Sequence, residues 1–409
     1  MYNLETKVFY CQIDSCRAIK EYQKKGLCVR LLAVEEQFFS AQALERKEGV
    51  EVISIEVSYW AFLERLDGAG RVPAKAERDK FDLLDDSVRE RSRWYRLEVD
   101  WNTKTRHGYA YPTFSEEKPR YFELVSCRTE SQTISLGPAP LFNQEVMKLP
   151  LSHDTGISTS NASPWTLSAF HVGQGMCSIV SDGKQALLLD IGAGTPVTRP
   201  LYQEGKITNE LAQVIEGIKT IDLILSHADQ DHWRILAWDA ELRKKIRHIF
   251  VPENAKSLAY KDPAIKFDIK EIQRLHIVLS TNSWLDVYRS QPKRDDDNGQ
   301  CLVTVFESAG KRALIAGDYV YSRFPSDTNK DVADLQNQDF DAVVVPHHGD
   351  AESAHRIVKA RQGAIAFFSA GNHRKFLHPT QISRDNHKKE KYTEICNNNC
   401  PDVRRVTLI

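Results

Sequence analysis

Four residues able to bind a metal ion fall within the six positions His227-Ala-Asp229-Gln-Asp231-His232. Imidazoles and carboxylates at this density are donors that zinc, manganese and magnesium accept. The segment follows Leu223-Ile-Leu-Ser226, an apolar run with the build of a buried strand. Alternate side chains of an extended segment share a face, whereas the adjacent Asp231-His232 pair points two ways. One loop can therefore serve two ions. A solvated turn capping the following Trp233–Trp238 stretch would use the same residue types. Two further segments tip the balance. Lys311–Ala316 is a second apolar run that ends at Gly317-Asp318, a carboxylate suited to bridging two cations. Asp341–Pro346 is a third, and it ends at His347-His348-Gly349. Three buried strands that all end in ligand-type residues point to a metal site.

The elements that must position these residues occupy the second half of the chain. Short apolar runs alternate with polar, helix-like stretches at Trp165–Phe170, Ala186–Ile191, Ile221–Ser226, His248–Val251, Leu302–Phe306, Ala313–Ala316, Ala342–Val345 and Ala364–Ser369. This predicts an α/β domain over 165–409 with its chemistry gathered at strand ends. A polar, small-residue linker is predicted over 151–164. Residues 1–150 carry no motif with nameable chemistry and are predicted to form a mixed α+β accessory domain. There Asp14–Gly26 has the capping pattern of a short helix, 74–94 is densely charged, and Val29–Val34, Val50–Val57, Tyr95–Trp101 and Arg120–Ser126 have strand character.

Seven motifs occur in a recognisable order: Phe170-His-Val-Gly-Gln-Gly175, Leu187-Leu-Leu-Asp190-Ile-Gly-Ala-Gly194, the His227–His232 loop, Asn298-Gly-Gln-Cys-Leu-Val, Ala316-Gly-Asp318, Pro346-His-His-Gly349 and Leu377-His378-Pro379. In this order the C-terminal part resembles the metallo-β-lactamase superfamily, in particular the hydrolase domain of ComEC-type DNA-uptake proteins. The resemblance implies an αββα sandwich with two divalent ions, Zn or Mn with Mg as a further option. His227 and Asp229 would hold one ion, Asp231, His232 and His348 the other, and Asp318 would bridge them. Asp190 would support the metal loop. Asp231 would also position the attacking water, and His378 would face the substrate. Asn298 stands where the family has a further histidine, and Asp229 where its usual loop has one. The resulting oxygen-rich set leans toward Mn²⁺ or Mg²⁺ alongside Zn²⁺. His347, Ser353, Asn372, Arg374 and Lys375 are candidate substrate contacts.

The substrate reading rests on that resemblance and on local charge. Overall the chain is balanced, with 55 basic and 56 acidic residues, which excludes a global pull toward nucleic acid or membrane. From residue 351 onward there are eleven Lys/Arg against five acids, a local cationic excess that suits a phosphodiester polyanion. A metal-dependent phosphodiesterase, a nuclease on DNA or RNA, is the leading expectation. Hydrolysis of a small ester, thioester, lactone or nucleotide, or a lapsed binding module, are the alternatives. The first domain is expected to recruit a protein partner or a second copy. No apolar run long enough for a spanning helix and no signal-peptide pattern is present, and the cysteines read as reduced thiols, so a cytoplasmic protein without membrane partners is expected.

Overall fold

The computed structural model describes residues 6–18, 27–38, 53–66, 94–101, 104–112, 120–130, 146–148, 164–227, 229–253, 268–293, 299–371, 377–397 and 399–409. They form two units. Among the described residues, those up to Glu130 belong to the first unit and those from Val146 onward to the second.

In the first unit six strands close a barrel: β1 (Thr6–Ala18), β2 (Leu27–Glu35), β3 (Ile53–Ser58), β4 (Trp94–Asp100), β5 (Gly108–Pro112) and β6 (Arg120–Glu130), in the order β1-β2-β3-β5-β6-β4. Period-two patterning drives closure. Tyr95, Leu97 and Val99 of β4 turn inward with Val29, Leu31 and Ala33 of β2 and Ile55 and Val57 of β3. The short helix Tyr59–Arg65 adds Tyr59, Ala61 and Phe62 to the same core. This unit is more strand-rich than the mixed α+β domain expected. The helix expected over Asp14–Gly26 is one reason. Cys16, Arg17 and Ala18 pair with Val29, Cys28 and Leu27, extending β1. Pairing with an apolar strand overrides the capping pattern, and a register shift between Ile13 and Ser15 lets the strand bend. Residues 19–26 and all of the charged stretch except Trp94 lie outside the described residues.

In chain order the second unit continues with β7 (Val146–Lys148), β8 (Thr166–His171), β9 (Cys177–Ser181), β10 (Ala186–Ile191), β11 (Ile221–Ile224), β12 (Ile246–Pro252), β13 (Asp268–Ile272) and β14 (Arg274–Ser280). It ends with β15 (Ser283–Arg289), β16 (Leu302–Ser308), β17 (Lys311–Ile315), β18 (Asp339–Val344), β19 (Lys359–Phe368), β20 (Thr393–Cys396) and β21 (Arg404–Thr407). One sheet runs β13-β12-β11-β10-β9-β8-β21, the other β20-β19-β18-β17-β16-β15-β14-β7. The β7 strand precedes the expected linker and pairs with β14 in the second unit's sheet. Residues 151–163 lie outside the described residues.

The two sheets share one apolar core. Leu187, Leu189, Ile224 and Phe250 come from the first, and Leu285, Val287, Phe306, Ile315 and Val344 from the second. On the outer face of the eight-stranded sheet, Val303, Val305, Leu314, Val343 and Phe368 are covered by Tyr321, Phe324, Val332 and Leu335. The helix Glu210–Ile215 buries Leu211 and Ile215, and Arg234–Trp238 buries Ile235, Leu236 and Ala237. Strands β10 and β11 run parallel in one sheet, and β17 and β18 run parallel in the other. Their carboxyl ends deliver Asp190, the Ser226–His232 loop, Asp318 and the His347-His348 turn. Among the described residues no helix is long and apolar enough to cross a membrane.

Candidate metal centre

Each candidate ligand sits where a buried strand gives out. Leu225 follows β11 into the loop, where His227, Asp231 and His232 are 3%, 1% and 0% exposed. Gly192, just past β10, lies under this loop. A Cβ there would come within 1.4 Å of the Asp231 carbonyl oxygen, so only glycine lets the two turns stack. Gly317 adopts φ +55 after β17, and its missing Cβ makes room for Ser226 while the chain turns to present Asp318. His347 and His348 both take left-handed conformations (φ 48 and 55) ahead of Gly349 (φ 78). Non-glycine residues adopt this region at a cost of roughly 1–2 kcal/mol each. Here it aims the His348 ring into the cluster.

Two overlapping donor sets result: His227, His232 and Asp318, and Asp231, His232 and His348. In each, the ligand atoms lie within 4.8 Å of one another. His232 Nε2 is 3.2 Å from Asp318 Oδ1, and His348 Nε2 is 2.9 Å from Asp231 Oδ2. His227 Nε2 stands 3.6 Å from Asp318 Oδ2 and 3.5 Å from Asp229 Oδ2. Asp229 belongs to neither compact set and is the more exposed carboxylate, at 26% for its side chain.

The far side of each ring is anchored. The His232 Nδ1–H donates to Asp190 Oδ2 at 2.8 Å, and Asp190 Oδ1 accepts from the Ser226 amide at 2.6 Å. His348 Nδ1 donates to the Ser369 carbonyl at 2.9 Å. His227 Nδ1 lies 3.0 Å from Ser226 Oγ. In each case the Nε2 edge faces the carboxylates, the orientation a metal-ligating histidine needs.

The electrostatics agree. Burial works against charge on His232, yet Asp190, Asp318 and Asp231 together hold its pKa well above the usual histidine value. Burial would likewise raise Asp318, but His232, His347, His227 and His348 around it hold it well below the carboxylate range. His347 is pushed up to about 9, with Asp318 and Asp350 outweighing its burial. Among the described residues, four buried atoms of this cluster have no hydrogen-bonding partner: His227 Nε2, Asp231 Oδ1, His232 Nε2 and Asp318 Oδ1. Buried polar atoms are seldom left so. Four converging at one point fit a site built for cations.

Beyond the ligands, His378 lies beside the cluster, its ring parallel to His348 within 13° at 6.1 Å and 5.7 Å from His347. Burial and then the neighbouring imidazoles push its pKa down to about 3. Gln174 Nε2 is 3.3 Å from its Nδ1. His347 Nδ1 pairs with Asp350 at 2.9 Å. Ser353 is fully buried, and its hydroxyl bonds the Asp350 carbonyl and Ser383 inside the turn, away from the ligand cluster. Asn298, Asn372, Arg374 and Lys375 lie outside the described residues. Of the C-terminal basic residues, Arg361 pairs with Asp341, Arg384 and Lys388 with Glu394, and Arg404 with Glu210 and Asp402. Of these partners only Asp341 and Glu210 lie before residue 351, so the pairings offset two of the six excess charges. Ser226 and Ser369 were not singled out in the sequence. Ser226 carries a signal, a hydroxyl directly before the first histidine, but Ser369 reaches His348 through its backbone carbonyl, its hydroxyl donating to Gly175 instead.

No protein-family model matches the chain, and no curated protein matches it. Solved structures do. Zn²⁺-bound PqqB from Methylobacterium extorquens is 12% identical with a TM-score of 0.35, covering 59% of this chain and 99% of that one. The metallo-beta-lactamase fold protein YhfI from Bacillus subtilis is 12% identical with a TM-score of 0.36, over the same shares. CmlA, a diiron beta-hydroxylase from Streptomyces venezuelae, is 11% identical with a TM-score of 0.35. It covers 61% of this chain, which spans about half (54%) of that longer protein.

Proposed function

We propose that this chain is a metal-dependent hydrolase of the metallo-β-lactamase superfamily, its two sheets and outer helices forming the αββα sandwich. His227 and Asp229 would hold one cation and Asp231, His232 and His348 the other, with Asp318 between them. The observation that carries this reading is the convergence of four buried ligand atoms that lack a hydrogen-bonding partner among the described residues. Divalent cations bound there supply Lewis acidity and bring the ionisation of water toward neutral pH. The protein's own groups do the rest. One oxygen of Asp231, beside His348 Nε2, would join it at the cation, and the other can accept a proton or orient a water. His378, neutral at working pH, offers an N–H to a substrate oxygen instead of delivering a proton. His347, paired through Nδ1 with Asp350, turns its Nε2 edge toward Asp318 and would contact an anionic substrate from there.

For the substrate we propose a phosphodiester, most specifically a nucleic acid or nucleotide, as the motif order implies. A cytoplasmic setting and a recruiting role for the barrel belong to the same reading. The ion-paired state of Arg361, Arg384, Lys388 and Arg404 favours a second reading, a small ester, thioester or lactone that needs no extended cationic track. The test is to incubate the full chain and its Asp231→Ala/His232→Ala variant with Mn²⁺, Mg²⁺ or Zn²⁺ and labelled single- and double-stranded DNA and RNA. Bis-p-nitrophenyl phosphate and p-nitrophenyl acetate serve as small substrates. Metal-dependent cleavage of polymer that the variant lacks supports the nuclease. Turnover confined to the carboxylic ester supports the second reading, and no turnover with any metal overturns both.

A further inference from the structure

The two cation positions are backed differently. At Asp231-His232-His348, the histidines lean on a carboxylate, Asp190 at 2.8 Å, and on a backbone carbonyl, that of Ser369 at 2.9 Å. At His227-Asp229-Asp318, His227 leans on the hydroxyl of Ser226 at 3.0 Å. That hydroxyl is shared, lying 3.1 Å from His232 Nδ1 as well. For both rings to turn Nε2 toward a cation, both Nδ1 atoms must carry hydrogen; that of His232 goes to Asp190, so Ser226 Oγ accepts chiefly from His227. A hydrogen bond to a neutral hydroxyl is roughly half as strong as one to a carboxylate.

Ser226 cannot shift toward one ring to correct this. Its amide is held by Asp190 and its carbonyl by the Leu302 amide at 2.7 Å, while a Gly317 Cβ would lie 2.4 Å from its own Cβ. The remaining ligand of that position, Asp229, is 26% exposed, against 2% for Asp231 and for His348.

We propose that Ser226 is the positioning residue for the His227-Asp229-Asp318 position and that this position is the weaker, exchangeable one, the Asp190-backed position filling first. The proposal rests on the metal reading above, and the experiment separates the two. The metal-stripped full chain is titrated with Co²⁺, following the visible d–d absorption and the heat of binding. Two steps are expected, at least about tenfold apart, the span a lost or weakened outer partner commands. Ser226→Ala should weaken the second step about tenfold and leave the first within about threefold, whereas Asp190→Asn should weaken the first. His227→Ala, which is independent of how well the serine variant folds, should retain one ion at the parent's first-step affinity. Two ions bound with equal affinity, equal weakening of both steps by Ser226→Ala, or loss of the tight step in His227→Ala would overturn the inequality. No Co²⁺ uptake at all would overturn the metal reading itself.

Discussion

Glu56 in the barrel and Asp231 and Asp318 in the second unit are buried carboxylates held in opposite ways. In the barrel, Glu56 is fully buried, yet Tyr111 donates to it at 2.7 Å, Tyr109 donates to it as well, and Arg30 pairs with it at 2.7 Å. In the second unit, Asp231 and Asp318 each keep a buried oxygen with no hydrogen-bonding partner. The same residue class thus serves two ends. A carboxylate met by a guanidinium and phenols is a fixed structural element, and one left short of donors is a receptor for cations. Burial alone does not separate them; accounting for each oxygen does.

The sharpest way to break this comparison is to exchange one group in each unit. Asp318→Asn should cut hydrolysis by about 10³-fold, since a central group of a catalytic metal site is lost. Elemental analysis should find no more than one ion in that variant. If it keeps two ions and full turnover, Asp318 is structural like Glu56. The converse change, Glu56→Ala, should destabilise the barrel by about 3 kcal/mol by stranding Arg30, with metal content unchanged. Urea denaturation followed by fluorescence, alongside elemental analysis, reads both effects. A milder probe is chelation. Stripping ions present at 100 times their Kd should lower the stability of the second unit by about 2.7 kcal/mol and leave the barrel transition where it is. Equal shifts in both transitions would remove the distinction.

The smallest effect concerns pH. Burial, helped by Glu56, holds the Tyr111 phenol above its ordinary pKa of 10, with Arg30 opposing. A raised folded-state value means this contribution is fully present below pH 10 and is lost as pH rises past it, because the unfolded chain ionises first. The barrel should therefore weaken between pH 10 and 11.5, and Tyr111→Phe should flatten that slope by about 1 kcal/mol. An unchanged slope in the variant would detach Tyr111 from the alkaline response.

The convergence of His227, Asp231, Asp318 and His348 was readable because short apolar runs end abruptly just before each of them. One such end could be a solvated turn; three of them together outweigh that reading. The anchoring of His348 by the Ser369 carbonyl was not readable, because any residue type supplies that oxygen. Strands β14 and β15 alternate cleanly about a tight Thr281-Asn282 turn, a period-two signal that no wholly apolar run announces. The Asp14–Ala18 segment shows the opposite case, a good local helix signal overruled by antiparallel pairing with the next strand, β2.

The three successive left-handed residues His347, His348 and Gly349 store backbone strain next to the ligand cluster. A glycine at His347 would relieve its share of that strain, yet it would leave Asp350 without its imidazole partner and give the unfolded chain more freedom to lose. The turn is therefore a spring latched by its own ion pair, and an exchange that slackens it also releases the latch.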